Sequence, residues 1–506
     1  MSFKRNILAS YVTQIYVMLV GILILPMYLK YMGAEAYGLV GFFTMLQAWF
    51  NLLDMGLTPT VARETARLRG GATNALSYRR LLRALQLIFF AVAVLGGGAM
   101  FVFSGHIADG WLKVQTLPLA QVQLALQLMA VGVALRWMSG LYRGCISGSE
   151  RLVWLGGFSA FVATLRFVGV LPILIWVGHS PAVFFTYQLL VAVIELVGLA
   201  AKAFCLFPAV SSGQQLGWSP ASLFTPIKPV LKFSLTIAFT SSVWLMVTHT
   251  DKLVLSKLLP LADYGYFTLA VLAASGVMLI SGPISGALLP RMARLHAEGN
   301  EAGLISLYRN ATQMVAVIAI PASLVLAFFA EQVLWVWTGD VHAATQAAPV
   351  LYLYALGNGI LALGAFPYYL QYAKGDLTLH LIGNALFLVL LIPALIWATM
   401  QYGVIGAGYA WLGANAVYFL VWVPKVHGRF VKGLHIQWLL EDLGMIVLLS
   451  VAATAVVNKF IHWPQQRIVL ACYVVMVSLA LLIISAMGSS WVRETASSKW
   501  RDRFAK

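Results

Sequence analysis

Charge is scarce in this sequence, and its scarcity excludes a soluble protein. Charged residues make up 10% of the chain and hydrophobic residues 61%, whereas a globular domain carries roughly 25% charged residues. Such a chain cannot cover itself with polar groups in water, so its solvent must be lipid. Cysteine is scarcer still. Cys145, Cys205 and Cys472 stand far apart, in or at the ends of apolar segments, which excludes a disulfide framework and a metal-ligand spacing. Acidic residues are few, 17 against 33 Lys and Arg, leaving a net charge of +16. That excess does not point to nucleic acid. It sits in short loops between apolar runs, where it orients a membrane protein. Long polar loops are missing too. The longest on the face away from the termini, from about Ser104 to Ala120, has seventeen residues, too few for a folded catalytic domain. No P-loop occurs. Gly403-x-x-Gly406-x-Gly408 follows no strand and reads as small residues that let helices approach closely. No catalytic residue, bound cofactor or metal site is expected.

What is present is a succession of apolar runs. A helix needs about 20 apolar residues to cross the hydrocarbon core. Fourteen segments meet this: 7–29, 37–58, 81–103, 121–146, 153–178, 181–207, 230–250, 264–286, 306–330, 346–371, 378–400, 403–424, 440–460 and 466–488. The first follows Met1 to Arg5 and is longer than the core of a signal peptide, so it is expected to be retained. With the N-terminus placed inside, 25 of the Lys and Arg fall on the inner side and 6 on the outer, while Arg136 and Arg166 remain within spans. The alternation holds loop after loop, which places both termini in the cytoplasm.

The chain also repeats itself. Ala36-Tyr-Gly38 opens the second span and Asp263-Tyr-Gly265 the eighth, an offset of about 227. Each of these spans ends in a proline followed by arginines: Pro59 with Arg63 and Arg67, then Pro290 with Arg291 and Arg294. Tyr142 to Arg151 precedes the fifth span as Tyr368 to Leu377 precedes the eleventh. Spans 1–6 and 7–12 therefore read as two six-helix lobes. Six is even, so both insert in the same direction, as parallel repeats about an axis along the membrane normal, an arrangement found in transporters. The expected organisation is an all-α membrane protein with a lobe at 1–208, a cytoplasmic linker at 209–229 and a second lobe at 230–430. Spans 13 and 14 and a basic tail complete it over 431–506.

Several stretches resemble a known family. Asn6 opens the first span, and Tyr31-Met-Gly-Ala-Glu-Ala-Tyr-Gly38 joins the first two. Leu52-Leu-Asp-Met-Gly-Leu57 and Arg63-Glu-Thr-Ala-Arg67 follow. Asp251-Lys-Leu-Val-Leu255 with Ala262-Asp-Tyr-Gly265, and Gly403-Val-Ile-Gly-Ala-Gly408, stand at the start and last hairpin of the second lobe. Their order and spacing over about residues 1–430 resemble the Wzx-type polysaccharide biosynthesis flippases of the multidrug/oligosaccharidyl-lipid/polysaccharide (MOP) exporter superfamily. The resemblance implies movement of undecaprenyl-pyrophosphate-linked oligosaccharides across the bacterial inner membrane. It implies as partners the lipid-linked substrate, the bilayer, and a polysaccharide polymerase with its chain-length machinery; nucleic acid is not among them. A multidrug-type exporter of the same superfamily, a membrane enzyme of polysaccharide assembly and a scaffold for glycosyltransferases are the competing readings.

Ionisable groups at bilayer depth cost roughly 2.5–3.5 kcal/mol on insertion scales and need a reason. Arg166 and Glu195 lie mid-span on a tight hairpin, at similar depth. They read either as an ion pair locking the hairpin or as an anion site with a tuning carboxylate. Arg136 and Arg143 are seven residues apart on one helical face, as are Glu195 and Lys202. Together they suit a pyrophosphate, although Arg143 and Lys202 also suit snorkelling to the interface. Asp54, Asp251 with His249, and Glu195 are candidates for coupling to H+ or Na+; a helix cap for Asp54 and a pair with Lys252 for Asp251 are the bland alternatives. The first span carries Asn6, Ser10, Thr13 and Gln14 on one face, and the seventh Ser234, Ser241, Ser242, Thr248 and His249. Both faces fit sugar hydroxyls or interhelical hydrogen bonds. His380 and Asn384, one turn apart, read as packing.

Overall fold

The computed structural model describes residues 3–54, 56–207, 228–279 and 281–494. The expected linker lies outside them as far as residue 227, as does the tail beyond 494. The side chains of Asn6, Ser10, Ser234 and Ser241 also lie outside the described set. Helices follow one another along the chain: α1 Phe3–Met32, α2 Ala34–Leu52, α3 Leu57–Arg69, α4 Ala75–Val102, α5 Leu119–Gly148, α6 Leu152–Trp176, α7 Pro181–Leu206 and α8 Lys228–Leu258. Then come α9 Leu261–Leu279, α10 Ser281–Ala297, α11 Glu301–Phe328, α12 Ala330–Thr338, α13 Val341–Ala373, α14 Thr378–Tyr402, α15 Val404–Phe430, α16 Leu434–Phe460 and α17 Arg467–Gly488.

Among the described residues twelve helices are long and apolar enough to cross a membrane, and the bent pair α2–α3 makes a thirteenth. The seventh expected span falls within α8. The protein is an all-α, multi-pass membrane protein, as the hydropathy required. Its surface shows the solvent. Trp176, Val389 and Leu420 are largely exposed, which only lipid makes favourable over the long stretches they occupy.

The second expected span is broken rather than straight. α2 and α3 meet at 52°, where Gly56 takes φ 70, a left-handed conformation that costs glycine little. The Asp54 carboxylate accepts from the Thr58 N–H at 3.2 Å and from its hydroxyl at 2.7 Å. It thereby satisfies a donor that the break sets free.

The chain divides into two compact units, Met1–Gly265 and Tyr266–Lys506. The division falls inside α9, not in the 209–229 linker, because α8 packs against α2. In the first unit α5 is central, lying against α7 and α3, while α1 lies along α6. Gly140, Gly144 and Gly148 of α5 form a small-residue stripe under α3. A Cβ at Gly144 would stand 2.7 Å from the Thr58 carbonyl oxygen, so the close approach requires glycine.

At the end of this unit opposite the arginine-rich loops, three segments are tied together. Glu35 accepts from the backbone N–H groups of Gln115, Thr116 and Leu117 and from the Thr116 hydroxyl. Leu261 N–H donates to the Lys113 carbonyl at 3.0 Å, the Lys113 ammonium donates to the Leu258 carbonyl at 2.7 Å, and Trp111 donates to Ser256 at 3.0 Å. Here the two marker sequences of the repeat meet. A Cβ on Gly265 would lie 2.6 Å from the Ala34 carbonyl oxygen and 3.2 Å from the Gly38 nitrogen.

In the second unit α11 is central, flanked by α10, α13, α16 and α17. Arg309 of α11 forks onto Asp442 at 2.8 and 3.0 Å and reaches Glu441 at 2.6 Å. Gln313 donates to Asp442 at 2.8 Å and accepts from Ser489 at 2.7 Å. These bonds fix α16 and α17 to the rest of the unit.

Candidate anion-binding site

Three arginines and one glutamate converge in the first unit, in the interior of helices that cross the membrane. Arg136 and Arg143 come from α5, Arg166 from α6 and Glu195 from α7. Arg143 donates to Glu195 at 2.8 Å and to Ser159 at 3.1 Å. The Arg136 Nε stands 4.0 Å from the other oxygen of Glu195, and its Nη2 donates to Gln188 at 3.0 Å. Arg166 donates to Gln47 at 2.8 Å. Three guanidiniums against one carboxylate leave a formal charge of +2.

The helix carrying Arg166 is itself irregular. Thr164–Val168 forms a π-turn, a local widening that often marks functional sites. Its displaced carbonyls find side-chain donors. Gln188 Nε2 donates to Arg166 O at 2.9 Å, Tyr28 to Phe167 O at 2.9 Å and Tyr187 to Leu165 O at 3.0 Å. Gln188 thus holds both arginines, one by its guanidinium and one by its backbone.

The cluster has capacity to spare. The Arg136 side chain is 9% exposed, yet its Nε and Nη1 have no hydrogen-bond acceptor among the described residues, and Gln47 Nε2 has none either. Buried donors are nearly always answered, so unanswered ones call for an explanation. An oxyanion supplies the acceptors and the charge that a guanidinium fork matches.

A profile of the family described as "polysaccharide biosynthesis protein" matches residues 183–345. A putative O-antigen transporter of Shigella flexneri is 19% identical over 386 residues, spanning 75% of this chain and 87% of the relative. An uncharacterized membrane protein of Bacillus subtilis, EpsK, is 21% identical over 480 residues, 92% of each chain. In fold, the lipid II flippase MurJ, inward closed conformation, matches with a TM-score of 0.69 at 13% identity over 99% of both chains. An inward-facing multidrug resistance MATE family transporter of the MOP superfamily matches with a TM-score of 0.65 at 18% identity, over 83% of this chain and 94% of that one. Part of the chain is thus similar to the polysaccharide biosynthesis family, and its fold is similar to that of the lipid II flippase and of a MOP-superfamily transporter.

The other expected site residues stand apart from the cluster. Lys202 places its ammonium over the Trp154 ring at 5.4 Å, the interfacial placement open to a snorkelling lysine. Gln14 is exposed on α1, while Tyr16 bonds to Thr164 at 2.7 Å. Asp54 is engaged by Thr58. Asp251 is buried and pairs with Lys252 at 3.3 Å. His249 has a buried Nδ1 with no hydrogen-bond partner among the described residues. His380 bonds to Asn384 at 3.0 Å and packs on Tyr368.

The expected ion pair between Arg166 and Glu195 does not form; Arg143 and Arg136 take Glu195 instead. The π-turn explains the difference, since an extra residue in the turn rotates Arg166 away from its straight-helix register. Sequence reasoning missed Gln47 and Gln188. Gln188 was within reach, because it precedes Glu195 by seven residues and so shares its face.

Proposed function

We propose that this protein moves an undecaprenyl-pyrophosphate-linked oligosaccharide from the inner to the outer leaflet of the bacterial inner membrane by alternating access. The observation that carries the reading is Arg136, a buried guanidinium with two unanswered donors in a cluster of formal charge +2. Arg143 donates to Glu195. An arriving pyrophosphate takes the free donors of Arg136 and competes with Glu195 for Arg143. The cluster favours anionic cargo over cationic drugs, which sets this reading above the multidrug one. Both termini face the cytoplasm in this account, so the strap at Glu35, Lys113 and Leu261 closes the outer end. Coupling to H+ or Na+ falls to Glu195 once the pyrophosphate has displaced it from Arg143, because it is the carboxylate of the cluster itself, whereas Asp54 and Asp251 stand apart beside Thr58 and Lys252. Export then feeds a polysaccharide polymerase and its chain-length machinery.

The test is complementation of a deletion in the protein's own host. The wild-type gene should restore surface glycan. Arg136→Ala with Arg166→Ala should not, and the undecaprenyl-linked unit should accumulate on the cytoplasmic face. Intact glycan export by the double variant, in a strain with no other flippase, defeats the proposal. Restored drug resistance in a sensitised host without any glycan phenotype favours the multidrug alternative.

A further inference from the structure

A second basic site lies at the arginine-rich end of the first unit, well removed in role from the mid-membrane cluster. A cavity of about 140 Å³ opens there between the ends of α3, α5 and α7. Arg69 and Arg151 line it, together with Thr65, Leu68, Tyr78 and Phe207. Tyr78 bonds to Thr65 at 2.6 Å and lies 3.7 Å from the Cys145 sulfur. Arg69 is positioned by donating to the Ser149 carbonyl, and Glu150 at 3.7 Å answers part of its charge. Arg151 is exposed, and its guanidinium has no hydrogen bond or ion pair among the described residues. Arg79 adds a third guanidinium, 5.1 Å from the centre of the Phe207 ring.

Depth and continuity identify the ligand. Arg69 ends α3, Arg151 lies in the turn after α5, and Phe207 follows α7, so the cavity sits where membrane helices leave the hydrocarbon. Headgroup phosphates occupy that level, and basic pockets between transmembrane helices recognise them. The apolar side continues into the lipid-facing surface. Phe207 packs on Phe204 at 5.0 Å, and Phe204 and Val197 of α7 are exposed, offering a ridge for an acyl chain. We propose that this cavity binds the phosphate of an anionic lipid headgroup, with the acyl chains laid along α7. The inference rests on membrane insertion alone and stands or falls separately from the flippase reading.

The full chain, purified in detergent, would be titrated with dioleoyl phosphatidylglycerol, and bound lipid read by native mass spectrometry. Dioleoyl phosphatidylcholine and inorganic phosphate serve as the other arms. Phosphatidylglycerol should bind about tenfold more weakly to Arg69→Gln/Arg151→Gln, the loss expected when charge-assisted bonds are removed. Arg294→Gln, an exposed arginine of the second unit, should change nothing. Leu68→Trp keeps both arginines and fills the cavity, so it should weaken binding as well. Arg151→Gln alone, at an exposed side chain, serves if the double variant elutes or melts abnormally. Equal binding by wild type and the arginine variants overturns the proposal, as does equal retention of phosphatidylcholine. Unchanged binding by Leu68→Trp reduces the effect to diffuse surface charge and overturns the cavity. Full displacement by inorganic phosphate makes the site one for soluble anions and overturns the lipid.

Discussion

Glu195 has the most to lose by substitution. It is 12% exposed and faces two arginines. Glu195→Gln leaves two positive charges without their counterion. Breaking a buried pair from one side costs about 3–5 kcal/mol; Arg143 is partly exposed, so about 2 kcal/mol is the reasonable expectation. The purified variant should melt at a lower temperature than the wild type. If pyrophosphate takes the place of the carboxylate, undecaprenyl pyrophosphate should raise the variant's melting temperature more than the wild type's. Equal shifts would separate Glu195 from the substrate. The same residue shows the reach of sequence reasoning. Charges in apolar segments were conspicuous, and Arg136, Arg143 and Glu195 do come together. Gln47 and Gln188 carry no charge to draw notice, and their partners come from other helices.

Between elements, small residues and ion pairs do different work. Gly144 lets α5 approach α3, and a side chain there meets the Thr58 carbonyl and the Val61 Cβ, at 2.7 and 3.1 Å. Gly144→Leu should destabilise the protein by about 1–3 kcal/mol, the cost of overpacking, and lower the thermal midpoint in detergent. Gly157→Leu, where a Cβ meets nothing within 4 Å, should be neutral. α16 and α17 depend on Arg309. Asp442 is wholly buried and Arg309 22% exposed, so Asp442→Ala should cost about 3 kcal/mol. It should also make the segment after residue 434 the first to be cleaved in limited proteolysis. The spacing of the apolar runs made these helices legible. The break at Gly56 and the π-turn at Thr164–Val168 were not legible, because each is stabilised by hydrogen bonds from side chains that hydropathy does not weigh.

For the whole molecule, the tests concern orientation and closure. In a chain whose three cysteines are replaced, Asp109→Cys should react with an impermeant maleimide in intact spheroplasts. Ser77→Cys should react only after permeabilisation. The reverse pattern would invert the topology. The strap offers a lock. Lys113 and Pro260 form an isolated β-bridge, close enough for a disulfide between Lys113→Cys and Pro260→Cys. Oxidation should stop glycan export and a reductant should restore it, if this end must open in each cycle. Export unaffected by a fully formed cross-link would mean that it need not.

The sequence by itself determined the solvent, the helical class and the approximate length of the membrane helices; of the fourteen expected spans, twelve or thirteen meet the test among the described residues. Solvent, class and length follow from transfer free energies summed over twenty-residue runs, which no tertiary contact reverses. Only the tertiary structure decided which arginine holds Glu195, that Arg136 keeps free donors, and that α8 belongs with the first unit. Such choices depend on how far each helix is rotated about its own axis. One π-turn or one left-handed glycine changes that rotation without altering the hydropathy.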